Sequence, residues 1–300
     1  MRRPTASWSS KFVSDAFQSR HIGPRADDIA AMLRDVGAAS VDALIDEIVP
    51  ADIHLRQPLR LPDADSEFEY HRRLRTIAAK NQVTRSYIGL GYHDTIVPAV
   101  IQRNVFENPG WYTPYTPYQA EIAQGRLESL LNFQTMVTDL TGMEVANASL
   151  LDEATAAAEA MALLWRVHKT PDANTFHVCE QVFPHVRDVM AARAKPLGIE
   201  LRVVNVSKEP LGPHVFGIYV QTPDDKGAVL NLSAMIAHAH DAGVLVAVGT
   251  DLLALALVTP PGDQGADIVV GNAQRFGVPL GYGGPHAAFF ATRERFIRQA

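Results

Sequence analysis

The residues best suited to chemistry lie at positions 108–125, in the run Asn-Pro-Gly-Trp-Tyr-Thr-Pro-Tyr-Thr-Pro-Tyr-Gln-Ala-Glu-Ile-Ala-Gln-Gly. Four large aromatics, Trp111, Tyr112, Tyr115 and Tyr118, are interleaved with the hydroxyls of Thr113 and Thr116. Pro109, Pro114 and Pro117 fix φ, lack an amide donor and push their predecessors toward extended geometry, which predicts an ordered, irregular segment and excludes a helix. Apolar faces and hydroxyl donors carried together on a stiff backbone suit a small polar ligand. The competing reading is an interface strap whose tyrosines simply pack, since aromatics are enriched at interfaces.

A second candidate is the run Tyr-Ile-Gly-Leu-Gly-Tyr-His-Asp at 87–94. Two glycines at two-residue spacing permit close backbone approach and fit a ligand loop, but the third glycine and strand-to-helix setting of a dinucleotide fingerprint are lacking. Cys179 is the only cysteine, so no internal disulfide is available. Within an apolar strand-like run it reads as a small buried hydrophobe.

Composition narrows the class. In 300 residues, 47% apolar, the chain can bury a large core. A net charge of −6 offers no basic field for nucleic acid, and the Arg72, Arg73 and Arg75 cluster is interleaved with acids and leucines, as on a solvated helix face. No apolar run approaches the roughly 20 residues of a membrane span, and the first 17 residues lack a signal-peptide core. These features point to a bacterial-type cytoplasmic protein, or a mitochondrial one if eukaryotic.

The elements that must position these residues fall into two regimes. Helical apolar spacing predicts helices at 27–36, at 41–49 after a Ser40 cap, at 67–80 and at 96–106 after a Thr95 cap. Residues 1–107 therefore read as a helical amino-terminal arm. A long amphipathic helix at 121–141 follows, then a polar turn opening into a helix of small residues, with Asp152 and Glu153 both read as self-caps of its first turn. Beyond 175 the chain alternates strands (175–179, 201–206, 215–220, 244–248, 267–270, 287–292) with helices (186–194, 232–242), the signature of βαβ units and a mainly parallel sheet. Residues 108–300 accordingly read as an α/β domain.

Several of these stretches resemble one family. The Tyr-Thr-Pro run read on to Met136, the segments Arg20 to Pro24, Tyr87 to Tyr92 and Ala146 to Glu153, and the segment Gly265 to Pro279 look like the P-protein of the glycine cleavage system, a pyridoxal-phosphate-dependent glycine decarboxylase. The resemblance runs from about residue 20 to the end and corresponds to the amino-terminal part of the family polypeptide. It implies the large domain of a fold-type-I pyridoxal-phosphate transferase, preceded by the helical arm that in the family lies across a partner half. The small α+β domain that follows in the family is expected to be missing here.

The resemblance also implies where the cofactor lysine belongs, and Arg275 stands there. A guanidinium stays protonated and cannot supply the free amine that condenses with the cofactor. The acid expected to hold the cofactor's ring nitrogen falls in register on Gly249, with Asp251 two residues on, where it could equally cap a short helix. The six lysines lie in polar or loop-like contexts. Ala154 replaces a glycine usual in the family, at a cost of about 1 kcal/mol if that position needs positive φ.

The reading is therefore a non-lysine half that supports a lysine-bearing one, with no catalytic residue and no metal site of its own. Tyr112, Thr113, Tyr115, Thr116, Tyr118 and Gln119 are the candidate substrate-binding residues. The turn Gly281 to His286 supplies candidate cofactor contacts at Gly283, Gly284, Pro285 and His286, through backbone amides reaching a partner's phosphate. The family's chemistry implies glycine as substrate and pyridoxal phosphate held covalently by the partner, a carboxy-terminal half or second subunit. It also implies the lipoamide of the H-protein as acceptor, with the T- and L-proteins as indirect partners. The alternative is a non-catalytic assembly or regulatory module that keeps the fold.

Overall fold

The computed structural model describes residues 17–300 apart from Ile22 and Pro285. The chain forms two compact units, 1–85 and 86–300. The boundary falls inside the stretch that the sequence reading assigns to the arm.

The first unit is helical: α1 (Gln18–His21), α2 (Ala26–Val36), α3 (Val41–Ile48) and α4 (Glu67–Ala78). Its helix ends follow capping chemistry. The Ser40 side chain accepts from the Ala43 amide, and Ser66 and Glu69 form a reciprocal capping box, each such cap contributing about 1 kcal/mol. Gly37 ends α2 with φ of 76°, a left-handed conformation that glycine adopts without strain. None of α2, α3 or α4 contains a fully buried residue.

The second unit is built on a seven-stranded sheet in the order β1-β7-β6-β5-β4-β2-β3. The strands are β1 (Val145–Ala146), β2 (Thr175–Cys179), β3 (Glu200–Val204), β4 (Val215–Thr222), β5 (Leu245–Thr250), β6 (Ile268–Asn272) and β7 (Ala288–Thr292). Strands β2 to β6 run parallel, while β7 pairs antiparallel with β6 and β1 antiparallel with β7. Every residue of β4 is buried, as expected for a central strand covered on both faces, whereas β3 at the edge is largely exposed.

The helices of this unit are α5 (Ala99–Ile101), α6 (Gln124–Thr141), α7 (Glu153–Val167), α8 (Pro184–Ala194) and α9 (Ser233–Asp241). Helix α7 lies across β4 to β7 and against α8. Its buried Ala156, Ala157, Ala158 and Ala160 let the helix approach the sheet closely, and Met161, Leu163 and Leu164 complete its packing into the core.

Three local expectations are corrected, and one strand is new. The helix expected from 96 begins at Ala99, because Pro98 holds the preceding residue extended, and it continues as a π-helical turn, Gln102–Phe106. The Thr95 hydroxyl caps nothing. Helix α6 starts at Gln124 because Ala120 O accepts the Ala123 amide in a turn that precedes the helical ladder. Strand β1, only two residues long, is too short to show any alternation in sequence.

Candidate functional site

The carboxyl ends of the parallel strands frame a cleft, the usual place for ligands in open α/β sheets. It consists of two adjoining spaces of about 630 and 690 Å³ that share Gly91, Tyr92, Glu153 and Asn272. Gln221 lies next to the end of β4, Thr250 ends β5 and Asp251 follows it, Asn272 closes β6, and the start of α7 faces them. The glycine loop read from sequence as a ligand loop supplies Gly89, Gly91, Tyr92 and His93 to the lining. Gly91 has φ of 83°, and a Cβ there would meet the Phe183 ring at 3.0 Å and Glu153 Oε2 at 3.7 Å, so glycine is required for the loop to lie on the cleft floor.

Two polar pairs dominate the cleft. Arg275 grips Asp251 in a bidentate ion pair, with Nε at 3.1 Å from both carboxylate oxygens and Nη2 at 2.6 Å from Oδ2. Asp251 Oδ1 also accepts the Leu253 amide, so it both caps the following turn and neutralises the arginine. The second pair joins Asn272 Nδ2 to Glu153 Oε2 at 3.0 Å. Of the two acids at the start of α7 only Asp152 caps the helix, accepting from the Thr155 amide at 2.7 Å. Glu153 is 8% exposed and turned into the cleft, which corrects its reading as a self-cap. Burial raises its pKa to about 7; Asp251 and Asp152 push the same way, and the Asn272 hydrogen bond opposes them.

The surrounding groups respond to the same field. Burial raises the Tyr92 and Tyr219 hydroxyl pKa values, with Glu153 adding to both, and burial lowers that of His185. The Tyr92 ring sits 5.4 Å from the His185 ring and 5.6 Å from that of His286. Ala154 is helical with negative φ and buried, so the family's glycine is not needed and alanine carries no backbone strain.

Pyridoxal phosphate does not fit this cleft. No lysine lines it, and every described lysine is exposed. The helix start that would receive a phosphate carries Asp152 and Glu153. At Gly249 a Cβ would lie 2.2 Å from the Tyr219 hydroxyl, so the tyrosine fills the place of any side chain there, an aspartate included.

The Tyr-Thr-Pro run lies elsewhere, and none of Tyr112, Thr113, Tyr115, Thr116, Tyr118 or Gln119 lines the strand-end cleft. All six are exposed, Tyr118 at 89%. The run is held by its backbone: Arg126 donates to Gly110 O at 2.6 Å, Trp111 O at 3.2 Å and Tyr115 O at 3.4 Å. The Tyr115 hydroxyl makes only a long contact, 3.5 Å, with Gln119 Oε1. In the glycine-rich turn the amides of Gly283 and Gly284 both donate to Leu280 O, while His286 lines the cleft. Pro285 lies outside the described residues.

The pattern of the Glycine cleavage system P-protein family matches residues 19–300. The chain belongs to that family. It is 57% identical over 283 residues to a glycine dehydrogenase (decarboxylating) of Nostoc punctiforme, covering 94% of this chain and 29% of the relative. The corresponding protein of Flavobacterium johnsoniae is 53% identical over 289 residues, covering 95% and 30%. The chain thus spans under a third of these relatives' length. A crystal structure of glycine decarboxylase (P-protein) of the glycine cleavage system in inhibitor-bound form superposes with a TM-score of 0.81 at 37% identity, covering 92% of this chain and 63% of that one. The fold is the α/β large domain of the pyridoxal-phosphate transferases, as the P-protein family implies.

Sequence reasoning missed the Glu153–Asn272 pair and the role of Tyr92. The only signal for the pair was an acid beside a capping aspartate. Its partner lies 119 residues away in sequence.

Proposed function

We propose that this chain is the non-lysine part of a glycine decarboxylase, supporting a lysine-bearing part that holds pyridoxal phosphate. The observation that carries the reading is the Arg275–Asp251 pair: a permanent cation, already neutralised, stands where the family's active half has its lysine. When bound in the partner, the cofactor supplies an electron sink for loss of the glycine carboxyl group.

This chain's own contribution is positioning. Arg126 fixes the backbone of residues 110–115, which presents the exposed Tyr112, Thr113, Tyr115, Thr116, Tyr118 and Gln119 side chains to line the partner's cleft, exclude water and orient glycine or the lipoyl arm of the H-protein. For the amides of Gly283 and Gly284 to reach a partner's phosphate, their bonds to Leu280 O must first exchange, a local rearrangement eased by the positive φ of Gly281 and Gly283. The H-protein is then the direct partner, with the T- and L-proteins downstream.

The test is glycine-dependent CO2 exchange by the lysine-bearing part with and without this chain. Exchange that requires both parts is expected. Exchange at full rate without this chain would overturn the reading and leave an assembly or regulatory module.

A further inference from the structure

We propose that the strand-end cleft of this chain binds a small organic ammonium ion, seated on the Glu153 carboxylate against the ring of Tyr92. Three observations converge on that chemistry. First, the lining carries four acids, Asp152, Glu153, Asp224 and Asp251, against a single permanent cation, Arg275, which Asp251 already engages. The local field therefore attracts cations and repels phosphates and carboxylates.

Second, the cleft holds unused polar atoms. Among the described residues Asn272 bonds Glu153 at Oε2, and Oε1 stays open to the cleft. The Thr250 hydroxyl, on a residue 6% exposed that lines the cleft, has no partner. Buried polar groups are ordinarily hydrogen-bonded, and a bound N–H donor would supply a partner to the Glu153 carboxylate.

Third, the walls suit an organic cation. Tyr92 lines both spaces, and Leu90, Val189 and Phe183 add apolar surface. A ring face beside a carboxylate is the arrangement that recognises alkylammonium groups, through attraction to the ring quadrupole. A bare metal ion is disfavoured, because no three acidic, histidine or cysteine side chains among the described residues converge as ligands.

Occupancy should follow the ionisation of Glu153. Burial above all, with Asp251 and Asp152 adding to it, holds its proton on to a pKa of about 7 against the Asn272 hydrogen bond; Arg275 is neutralised by Asp251, and His185 and His286 stand across Tyr92. A cation displaces that proton, so binding tightens as pH rises through 7.

The probe is trimethylammonium chloride, which has an N–H donor but cannot condense with a carbonyl cofactor. It is titrated calorimetrically into the full chain co-purified with the lysine-bearing part, with potassium chloride as control. We expect saturable binding that is at least threefold tighter at pH 8 than at pH 6. It should weaken at least tenfold in Glu153→Gln and several-fold in Tyr92→Leu. No saturable binding at pH 8, an equal response to potassium, or undiminished affinity in Glu153→Gln would each overturn the proposal. Should a variant fail to fold, carboxyl-carbon NMR of the wild-type chain decides instead. The Glu153 titration midpoint must move downward on adding trimethylammonium, and an unmoved midpoint refutes the site.

Discussion

The strand-end cleft and the Tyr-Thr-Pro run answer the same problem, holding polar groups in a fixed geometry, in opposite ways. In the cleft, side chains are tied to one another: Arg275 to Asp251, Asn272 to Glu153, with the Tyr219 hydroxyl packed where a side chain at 249 would stand. In the run, the backbone is tied down by Arg126 and the side chains are left outside. A group that must meet another molecule cannot spend all its hydrogen bonds at home, and the exposed side chains of the run mostly keep theirs. The cleft is largely closed upon itself, with the Thr250 hydroxyl, His93 Nδ1 and the Tyr219 hydroxyl left without partners.

The sharpest way to break this contrast is to reopen the cleft. Gly249→Asp places a Cβ 2.2 Å from the Tyr219 hydroxyl and a charge in a strand buried around it. Overpacking and an unpaired buried carboxylate together should cost about 4 kcal/mol or more, read as a lost or strongly lowered urea midpoint. A variant with near-native stability would mean that the cleft is looser than its contacts indicate.

A smaller effect concerns Glu153. Its folded pKa of about 7 lies above the ordinary glutamate value of 4.5, so the native state binds the extra proton. The associated stability is fully present below about 4.5 and is lost as pH rises through 7, on the order of 3 kcal/mol. Glu153→Gln keeps an oxygen for Asn272 and cannot ionise. It should match the wild type near pH 4 and exceed it by about 1–3 kcal/mol at pH 8 in thermal melts. Parallel pH profiles for the two proteins would refute the buried, proton-holding carboxyl.

On the side of the run, Tyr115→Phe removes one hydroxyl while preserving the ring. If that hydroxyl meets substrate in the assembled enzyme, glycine–CO2 exchange should fall by about one to two decades, corresponding to roughly 1–3 kcal/mol. Were the run only a strap, exchange would be unchanged and Tyr115→Ala would instead weaken association with the lysine-bearing part. The smallest effect is expected from Arg126→Lys, which keeps the charge and loses the fork. Hydrogen exchange at the amides of residues 111–118 should quicken, with less than about 1 kcal/mol lost in the melt.

Much of this organisation was legible in the residues. The prolines at 109, 114 and 117 made the irregular run unavoidable, and Ser40 marks a helix start because its hydroxyl answers a free amide nearby in sequence. Apolar runs separated by helical patterns located the strands to within about two residues, as expected where element ends fray. The glycines at 89 and 91 predict close backbone approach, and Gly91 does lie against Phe183 and Glu153 in the cleft.

What the residues determined by themselves were properties of single positions and near neighbours: an arginine that cannot act as a free amine, a backbone that cannot be helical, a sheet of alternating strands. Aspartate is the better N-cap of the two acids, but only the tertiary structure decided that Glu153 becomes a buried proton holder. It also decided why no acid stands at 249, since Tyr219 is thirty residues distant in sequence and in contact only after β4 and β5 pair. The physical reason is common to both. Capping and backbone stiffness act over a few bonds, whereas desolvation and steric exclusion depend on which distant strands the fold brings together.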